Sequence, residues 1–187
     1  MVLKSNEGLK EAIVQTLEMS PIDGAKGLPK PIGSWDVSAV TEMSELFVDA
    51  FGALVQGADK FNGDLSEWDV SRVTDMNHMF YYALSFDGDI SKWDVSRVTN
   101  MWAMFHSASS FNADLFQWDV SRVINMKEMF SGASSFARTL SGSWQTSLAE
   151  KDGMFDGSSG RIRPNRKKTT SMKTPPSIWL TPTRTLT

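Results

Sequence analysis

The sequence contains no cysteine among its 187 residues. Disulfide bonds, thiolate metal ligands and cysteine nucleophiles are therefore excluded. Histidine and tyrosine are also scarce, with two residues of each, and no apolar run approaches the roughly 18 residues that a membrane-spanning helix requires. The first residues lack the apolar core of a secretion signal and have the spacing of a helix instead. We expect no transmembrane segment and, by default, an intracellular or organellar location.

Tryptophan, phenylalanine and methionine are abundant, with 7, 11 and 11 residues. They recur at a fixed spacing, because Trp68, Trp93 and Trp118 each begin a copy of one segment, 25 residues apart. These copies are WDVSRVTDMNHMF, WDVSRVTNMWAMF and WDVSRVINMKEMF. Further copies begin at Trp35 and, in diverged form, at Trp144. Self-similarity at a period of roughly 20 to 50 residues is typical of solenoids.

The apolar residues within one repeat follow two periods. Trp68 and Val70 alternate as in a strand, whereas Val73, Met76 and the apolar residues up to Ala83 have the three-and-four spacing of a helix. The sequence therefore predicts an α/β repeat solenoid that is leucine-rich-repeat-like, with a short parallel strand and a short helix in each 25-residue coil. Columns of tryptophan, methionine and phenylalanine would form its core, because one coil cannot bury its own apolar face.

The chain divides into three predicted segments. Residues 1–34 form a capping helix and a connector rich in proline and glycine, and residues 35–155 form a solenoid of four to five coils with additional residues at 51–58. Residues 156–187 form a basic, extended or disordered tail rich in serine, threonine and proline. Residues 1–155 contain 12 Lys and Arg against 21 Asp and Glu, a net charge of −9, and the tail contains 7 against 1, a net charge of +6.

No catalytic arrangement of residues is visible in the sequence. His78 and His106 occupy different positions in their repeats, so no convergent acid–base pair is indicated. The glycine-containing stretch at 157–160 lacks the lysine of a phosphate-binding loop. We therefore expect no enzyme, no catalytic residues and no cofactor.

Acidic residues recur at two positions of the repeat. The position after each tryptophan holds Asp36, Asp69, Asp94 and Asp119. A second position, in the segment that returns to the next coil, holds Asp64, Asp89 and Asp114. Stacked carboxylates are the kind of ligand that calcium prefers. The favoured interpretation is structural: each aspartate accepts backbone N–H groups in its own turn or pairs with an arginine. No metal ligand is assigned.

The position before each tryptophan varies while its neighbours barely change. It holds Glu67, Lys92 and Gln117 in the regular repeats. These side chains are expected to share an exposed face with Asp69, Asp94 and Asp119, so all six are predicted to contact a protein partner.

The tail offers a second predicted contact. Ile178, Trp179 and Leu180 form an apolar group within it that would anchor the chain on a partner. Nucleic-acid binding is not favoured, because Trp179 is the single stacking side chain among the basic residues of the tail.

The repeat pattern W-D-V-S-x-V-T-x-M-x-x-M-F-x-x-A-x-x-F-x-x-D covers residues 35 to about 140. It resembles the BspA-like, mycoplasma-lipoprotein-type surface protein repeat family, and its algal-type members in particular, which share a short helix before the first WDVS. The resemblance implies a surface or interaction scaffold without catalysis. Two features depart from the family pattern: the sequence has no lipoprotein or secretion signal, and the residues after Phe155 match nothing in it.

Two functions follow from these patterns. The first is a non-catalytic protein–protein interaction or scaffold module, acting as an accessory subunit of a larger assembly. The alternative is a calcium- or ligand-binding surface protein that uses the stacked aspartates.

Overall fold

The computed structural model describes residues 1–19, 31–49 and 51–164. Within these ranges the helices are α1 (Asn6–Met19) and α2 (Ser143–Thr146), and short 3-10 helices lie at Ile32–Ser34 and Ala58–Lys60. The strands β1 (Thr139–Leu140) and β2 (Arg161–Ile162) pair in parallel. Turns and isolated bridges make up most of the repeat region.

Helix α1 lies within residues 1–34, for which the sequence predicts a capping helix and a connector. Leu9, Ile13 and Leu17 are spaced four residues apart and are 0%, 1% and 2% exposed, so they form the buried face of the helix. The hydroxyl of Ser5 accepts a hydrogen bond from the Gly8 N–H at 3.2 Å, which satisfies one of the free donors at the helix start.

The N-terminal segment lies against the first repeat. Val2 and Asp36 form a parallel bridge, with the Leu3 N–H donating to the Asp36 carbonyl at 2.9 Å. The side-chain amide of Asn6 donates to the Ser44 carbonyl at 3.0 Å. The apolar face of α1 therefore covers the outer side of the first repeat, where no preceding repeat is available to bury it.

Consecutive repeats lie side by side and are joined by parallel bridges. The bridges link equivalent positions of neighbouring repeats: Glu42 with Asp75, Asp75 with Asn100, Asn100 with Asn125, and Asn125 with Glu150. Beyond each bridge, every second backbone N–H donates to a carbonyl of the following repeat. The N–H groups of Met76, His78 and Phe80 do so at 2.9 Å each.

Turns take the place of the helix that the sequence predicts from Val73 to Ala83. The Tyr81 N–H donates to the His78 carbonyl and the Ala83 N–H to the Phe80 carbonyl, both at 3.1 Å and both three residues apart. His78 and Tyr82 have φ angles of 52° and 54°, in the left-handed region that a right-handed helix excludes. Alternate N–H groups bond to the next repeat, so they are not free for helical hydrogen bonds.

No strand is formed at the tryptophan segments of the second, third and fourth repeats, which are described in full. The strand-plus-helix coil is thus not the local structure of these repeats. The classification of the whole chain as a leucine-rich-repeat-like solenoid stays a prediction.

The tryptophans at the repeat starts are buried and linked by hydrogen bonds. The indole N–H of Trp93 donates to the carbonyl of Leu65 at 3.1 Å, and that of Trp118 donates to Ile90 at 3.1 Å. Both acceptors, 28 residues earlier in the chain, lie just before the tryptophan that starts the preceding repeat. The bonds from Trp68 to Ile32 and from Trp144 to Leu115 follow the same rule. Each of these four indole donors therefore has a partner, as a polar group in a core requires.

Phenylalanine rings form a continuous stack beside the tryptophans. Within one repeat Phe80 and Phe86 stack with centroids 4.1 Å apart, and Phe105 and Phe111 stack at 3.9 Å. Phe80 and Phe105 of neighbouring repeats are 5.4 Å apart and nearly parallel. The stack continues to Phe155, whose ring is nearly parallel to that of Phe130 in the fourth repeat. Offset stacking of this kind adds to the burial energy of the rings.

The additional residues of the first repeat form a loop at one edge. Val48 and Leu54 make an antiparallel bridge, and the Asp49 carboxylate accepts the N–H groups of Phe51 and Ala53 at 2.8 and 2.9 Å. Phe51, within the loop, is 95% exposed. Beside this loop, Phe47 of the first repeat packs against Phe61 and Phe80 in a tilted arrangement, whereas the rings of the regular repeats stack nearly parallel.

The packed part of the chain continues beyond the boundary predicted at 155/156. The Ser159 N–H donates to the Phe136 carbonyl at 3.1 Å, and β2 pairs with β1. Ile162 is partly buried against the core. The connector at 20–30 and the rest of the predicted tail at 165–187, with Ile178, Trp179 and Leu180, lie outside the described residues.

Candidate interaction surfaces

The aspartates that follow the tryptophans are exposed and engaged in their own turns. The carboxylates of Asp69, Asp94 and Asp119 each accept the N–H of the serine two residues later, at 3.0 Å in every case. Asp36 does the same at 3.1 Å. Of the two roles that the structural interpretation allowed, acceptance of backbone N–H groups is the one observed.

The second acidic position has the same geometry. Asp64 and Asp89 accept the N–H of a serine two residues later, and Asp114 accepts that of Phe116, all at 3.0 Å. Such hydrogen bonds stabilise the ionised carboxylate. They hold the pKa of four carboxyls below the ordinary value; the serine hydroxyl contributes most at Asp36, Asp89 and Asp119, and the serine N–H contributes most at Asp64.

Neither aspartate position brings carboxylates together around one point. Across the described ranges, no three acidic or histidine side chains converge in a way that could hold a metal ion. Arg72, Arg97 and Arg122 make no ion pair with the aspartates in this part of the chain. The stacked carboxylates are balanced by turn N–H groups rather than by cations.

The variable residues before the tryptophans form an exposed column. Glu67, Lys92 and Gln117 each precede a buried tryptophan and follow the same turn, which the tryptophan N–H closes by donating three residues back. The backbone alternation around each tryptophan leaves the residues on both sides of it exposed. The six predicted partner contacts in the repeats therefore lie at equivalent exposed positions of three consecutive repeats.

A second surface was not predicted, and we name it the aromatic patch: His78, Tyr81, Tyr82, Trp102 and His106. The His78 ring meets Trp102 edge-on with centroids 4.5 Å apart, and it contacts Tyr81 at 5.0 Å. Tyr81 stacks on His106 at 5.2 Å and meets Tyr82 at 4.7 Å. Tyr82 and Trp102 remain 37% and 41% exposed.

The histidines were predicted to form no acid–base pair, because they occupy different repeat positions. The structure places both against the ring of Tyr81, and no hydrogen bond joins them. The Nδ1 atom of His106 is buried without a hydrogen-bond partner and lies 3.5 Å from the Glu128 carboxylate. Burial lowers the pKa of His78, which keeps its imidazole neutral at neutral pH.

The sequence carries a signal for the aromatic patch that only a comparison between repeats reveals. Tyr81 and Tyr82 correspond to Ser131 and Gly132 two repeats later, and Trp102 corresponds to Lys127. The patch residues therefore break the repeat pattern, whereas the core aromatics maintain it.

Turn-built repeats joined by parallel bridges, with aromatic columns inside, define a repeat protein whose polar side chains serve its turns. A family described as "Mycoplasma protein of unknown function, DUF285" matches residues 14–55 and 49–165, and the chain belongs to this family. The expected kinship with a mycoplasma-type repeat family is confirmed at this level. The expectation that the family pattern ends at Phe155 is wrong, because the match extends to residue 165. Neither the curated proteins nor the solved structures include a match. Over the residues that the structure describes, no helix has the length and hydropathy to cross a bilayer.

Proposed function

We propose that the protein is a non-catalytic protein–protein interaction or scaffold module. The observation that carries this function is the exposed column of Glu67, Lys92 and Gln117. A constant turn presents a different side chain in each repeat, so the backbone fixes the spacing while the side chains are free to match a partner. Membership of an uncharacterised repeat family is compatible with such a role.

We further propose that the repeats form a leucine-rich-repeat-like solenoid of the BspA-like, algal type. The parallel bridges between equivalent positions support this classification. Bridged neighbours lie about 4.8 Å apart, so the column would present one side chain at each such step. The adjoining Asp69, Asp94 and Asp119 would give the surface its acidic character.

An accessory subunit of a larger assembly is the form of this function that we favour. The repeat region has a net negative charge and the end of the chain has a net positive charge. The two regions could therefore make two different contacts, either with one partner or with two. Ile178, Trp179 and Leu180 would supply the apolar part of the second contact.

The test is a quantitative pull-down from source cells with three full-length baits. The surface variant combines Glu67→Ala, Lys92→Ala and Gln117→Ala. The control combines Gln56→Ala, Asp59→Ala and Lys60→Ala, which removes the same types of exposed side chain from the edge loop. We expect one complex to be retained by the wild type and the control, and to bind the surface variant about tenfold more weakly. Equal capture by all three baits would contradict the assignment of the column.

Calcium binding is the second candidate, because two acidic positions recur along the chain. Each of these carboxylates already accepts a turn N–H, so an added cation would gain little. We expect no change in the thermal midpoint with millimolar calcium. A rise of several degrees would favour the calcium-binding surface protein by linkage.

A further inference from the structure

The aromatic patch lies on a different part of the repeat from the Glu67 column. Its five rings come from the second and third repeats alone, and their edges and faces contact one another continuously from Trp102 through His78 and Tyr81 to His106. The core does not require the exposed rings of Tyr82 and Trp102, since the buried phenylalanine stack passes beneath them without interruption.

Carboxylates bound the aromatic patch on both sides. Glu45 and Glu128 occupy the same repeat position as His78, one repeat before it and two repeats after it. Both carboxylates act electrostatically on His78, as does Asp75. Burial, Tyr82 and Glu128 together raise the pKa of Tyr81, so its phenol stays protonated. The π-rich rings of tyrosine and tryptophan between carboxylates form a surface of negative potential.

The lysines near this surface are already paired. Lys10 lies 3.7 Å from Glu45, and Lys127 lies 2.7 Å from Glu150 and 3.8 Å from Asp152. Glu128 has His106 as its neighbour and no lysine or arginine within ion-pair distance among the described residues. Its carboxylate, half exposed, is available to an incoming cation.

Two residues of the patch have a left-handed backbone. His78 and Tyr82 have φ angles of 52° and 54°, and equivalent positions of other repeats hold other residue types at positive φ, as at Glu45, Ala103, Ser107 and Gly132. A side chain in the left-handed region costs on the order of 1 kcal/mol. The turn therefore accepts several side chains, and rings occupy these two positions only in the second repeat.

We propose that the aromatic patch binds an arginine side chain presented by a partner protein. The guanidinium would lie over the exposed ring of Trp102 or Tyr82, and its N–H groups would reach the Glu128 carboxylate. The guanidinium is a planar, weakly hydrated cation. It can stack on an exposed ring and donate hydrogen bonds to a carboxylate at the same time. A nucleic acid does not fit, because its phosphates would meet the carboxylates. This inference rests on the proposed interaction function and adds the chemistry of a partner at a second surface.

The test measures fluorescence anisotropy of a labelled Gly-Arg repeat peptide titrated with the full chain at about 0.15 M salt. The comparison peptide carries citrulline, which has the shape of arginine without its charge. We expect the arginine peptide to bind. The citrulline peptide should bind at least about tenfold more weakly. Trp102→Ala should weaken arginine-peptide binding by about threefold to thirtyfold, and Glu128→Gln should also weaken it.

Two variants serve as controls. Phe116→Ala removes an exposed ring elsewhere, and Glu67→Gln removes a carboxylate from the column. Both should bind the peptide as the wild type does. Because the column and the patch are mutated separately, failure of peptide binding and failure of the pull-down are distinguishable.

Four results would overturn the inference. These are equal binding of the citrulline peptide, unchanged binding by Trp102→Ala, and binding of a neutral oligosaccharide in place of the peptide. The fourth is occupation of the patch by the protein itself. Self-association that is abolished by Trp102→Ala would show that a second copy occupies the patch. A zero-length crosslink in the free monomer between Glu128 and a lysine beyond Pro164 would show that the same chain occupies it.

Discussion

The interior aromatic columns and the aromatic patch use the same residue types for different ends. In the columns, Trp93 and Phe105 have counterparts in every regular repeat and are nearly inaccessible to solvent. In the patch, Trp102 and Tyr82 have none and are more than a third exposed. Both groups of rings lie at similar centroid distances. What separates them is recurrence: a ring that returns every 25 residues serves the stack, and one that appears once is free to serve a partner.

This difference has a physical basis in how repeats are stabilised. A core ring packs against its equivalents on both sides, so replacing one ring disturbs two interfaces. A ring on the outer surface contacts only its local neighbours, and its replacement leaves both interfaces intact. Substitutions at matched residue types in the two regions should therefore differ sharply in their effect on stability.

The largest expected difference is between two tryptophans. Trp93→Ala removes a buried indole and its hydrogen bond to Leu65, and it should lower the free energy of unfolding by on the order of 3 to 5 kcal/mol. Trp102→Ala removes an exposed indole and should cost less than about 1 kcal/mol. Chemical denaturation of both variants measures the two values. Similar losses of stability for the two variants would contradict the distinction between the interior aromatic columns and the aromatic patch.

A smaller effect tests whether the phenylalanine stack includes the residues after Phe155. A Cβ at Gly160 would lie 2.5 Å from the Phe136 ring and 2.8 Å from the Phe155 ring. Gly160→Ala should therefore destabilise the protein by about 1 to 3 kcal/mol. Gly8→Ala, in α1, where a Cβ would meet only the Ser5 hydroxyl at 3.4 Å, should be neutral or stabilising by about 0.5 to 1 kcal/mol. If Gly160→Ala proves neutral in urea denaturation, residues 156–164 do not pack as described.

The smallest effect concerns the aspartate turns, which recur like the core but lie at the surface. The carboxyls of Asp36, Asp64, Asp89 and Asp119 have folded pKa values below the ordinary 3.8, so their contribution to stability is fully present above about pH 4. It is lost as pH falls through the folded pKa, because the protonated carboxyl is a weaker acceptor. Asp89→Asn keeps an acceptor oxygen and removes the charge, so it should flatten the fall in stability between pH 5 and about pH 2.

Ser91→Ala is the matched variant for this measurement. It removes the hydroxyl donor and keeps the backbone N–H, so the acid sensitivity should decrease in part. Urea midpoints measured across that pH range give the slopes. Slopes that are identical in the wild type and both variants would show that Asp89 contributes nothing to acid stability.

The sequence predicted which residues pack inside the repeats, because burial follows directly from the recurrence of Trp, Met and Phe. It did not predict how the backbone connects them. The apolar spacing from Val73 to Ala83 is that of a helix, but a series of turns with left-handed residues at His78 and Tyr82 places the same side chains inward. Such φ angles at residues other than glycine leave no mark in an apolar pattern.

The candidate surfaces divide in the same way. The exposure of Glu67, Lys92 and Gln117 followed from alternation around a buried tryptophan, which is a local rule. The aromatic patch depends on contacts between residues 24 or 25 positions apart, such as His78 with Trp102, and these require the alignment of two repeats in space. No single repeat contains the whole patch, which forms only where the second and third repeats pack side by side.

The indole hydrogen bonds give the stack a direction. Each of four tryptophans, Trp68, Trp93, Trp118 and Trp144, donates to a carbonyl made earlier in the chain. A ribosome releases the chain from its N-terminus, and domains fold as they emerge. Each of these four tryptophans thus meets an acceptor that already exists, and growth of the protein and growth of its core proceed in the same order.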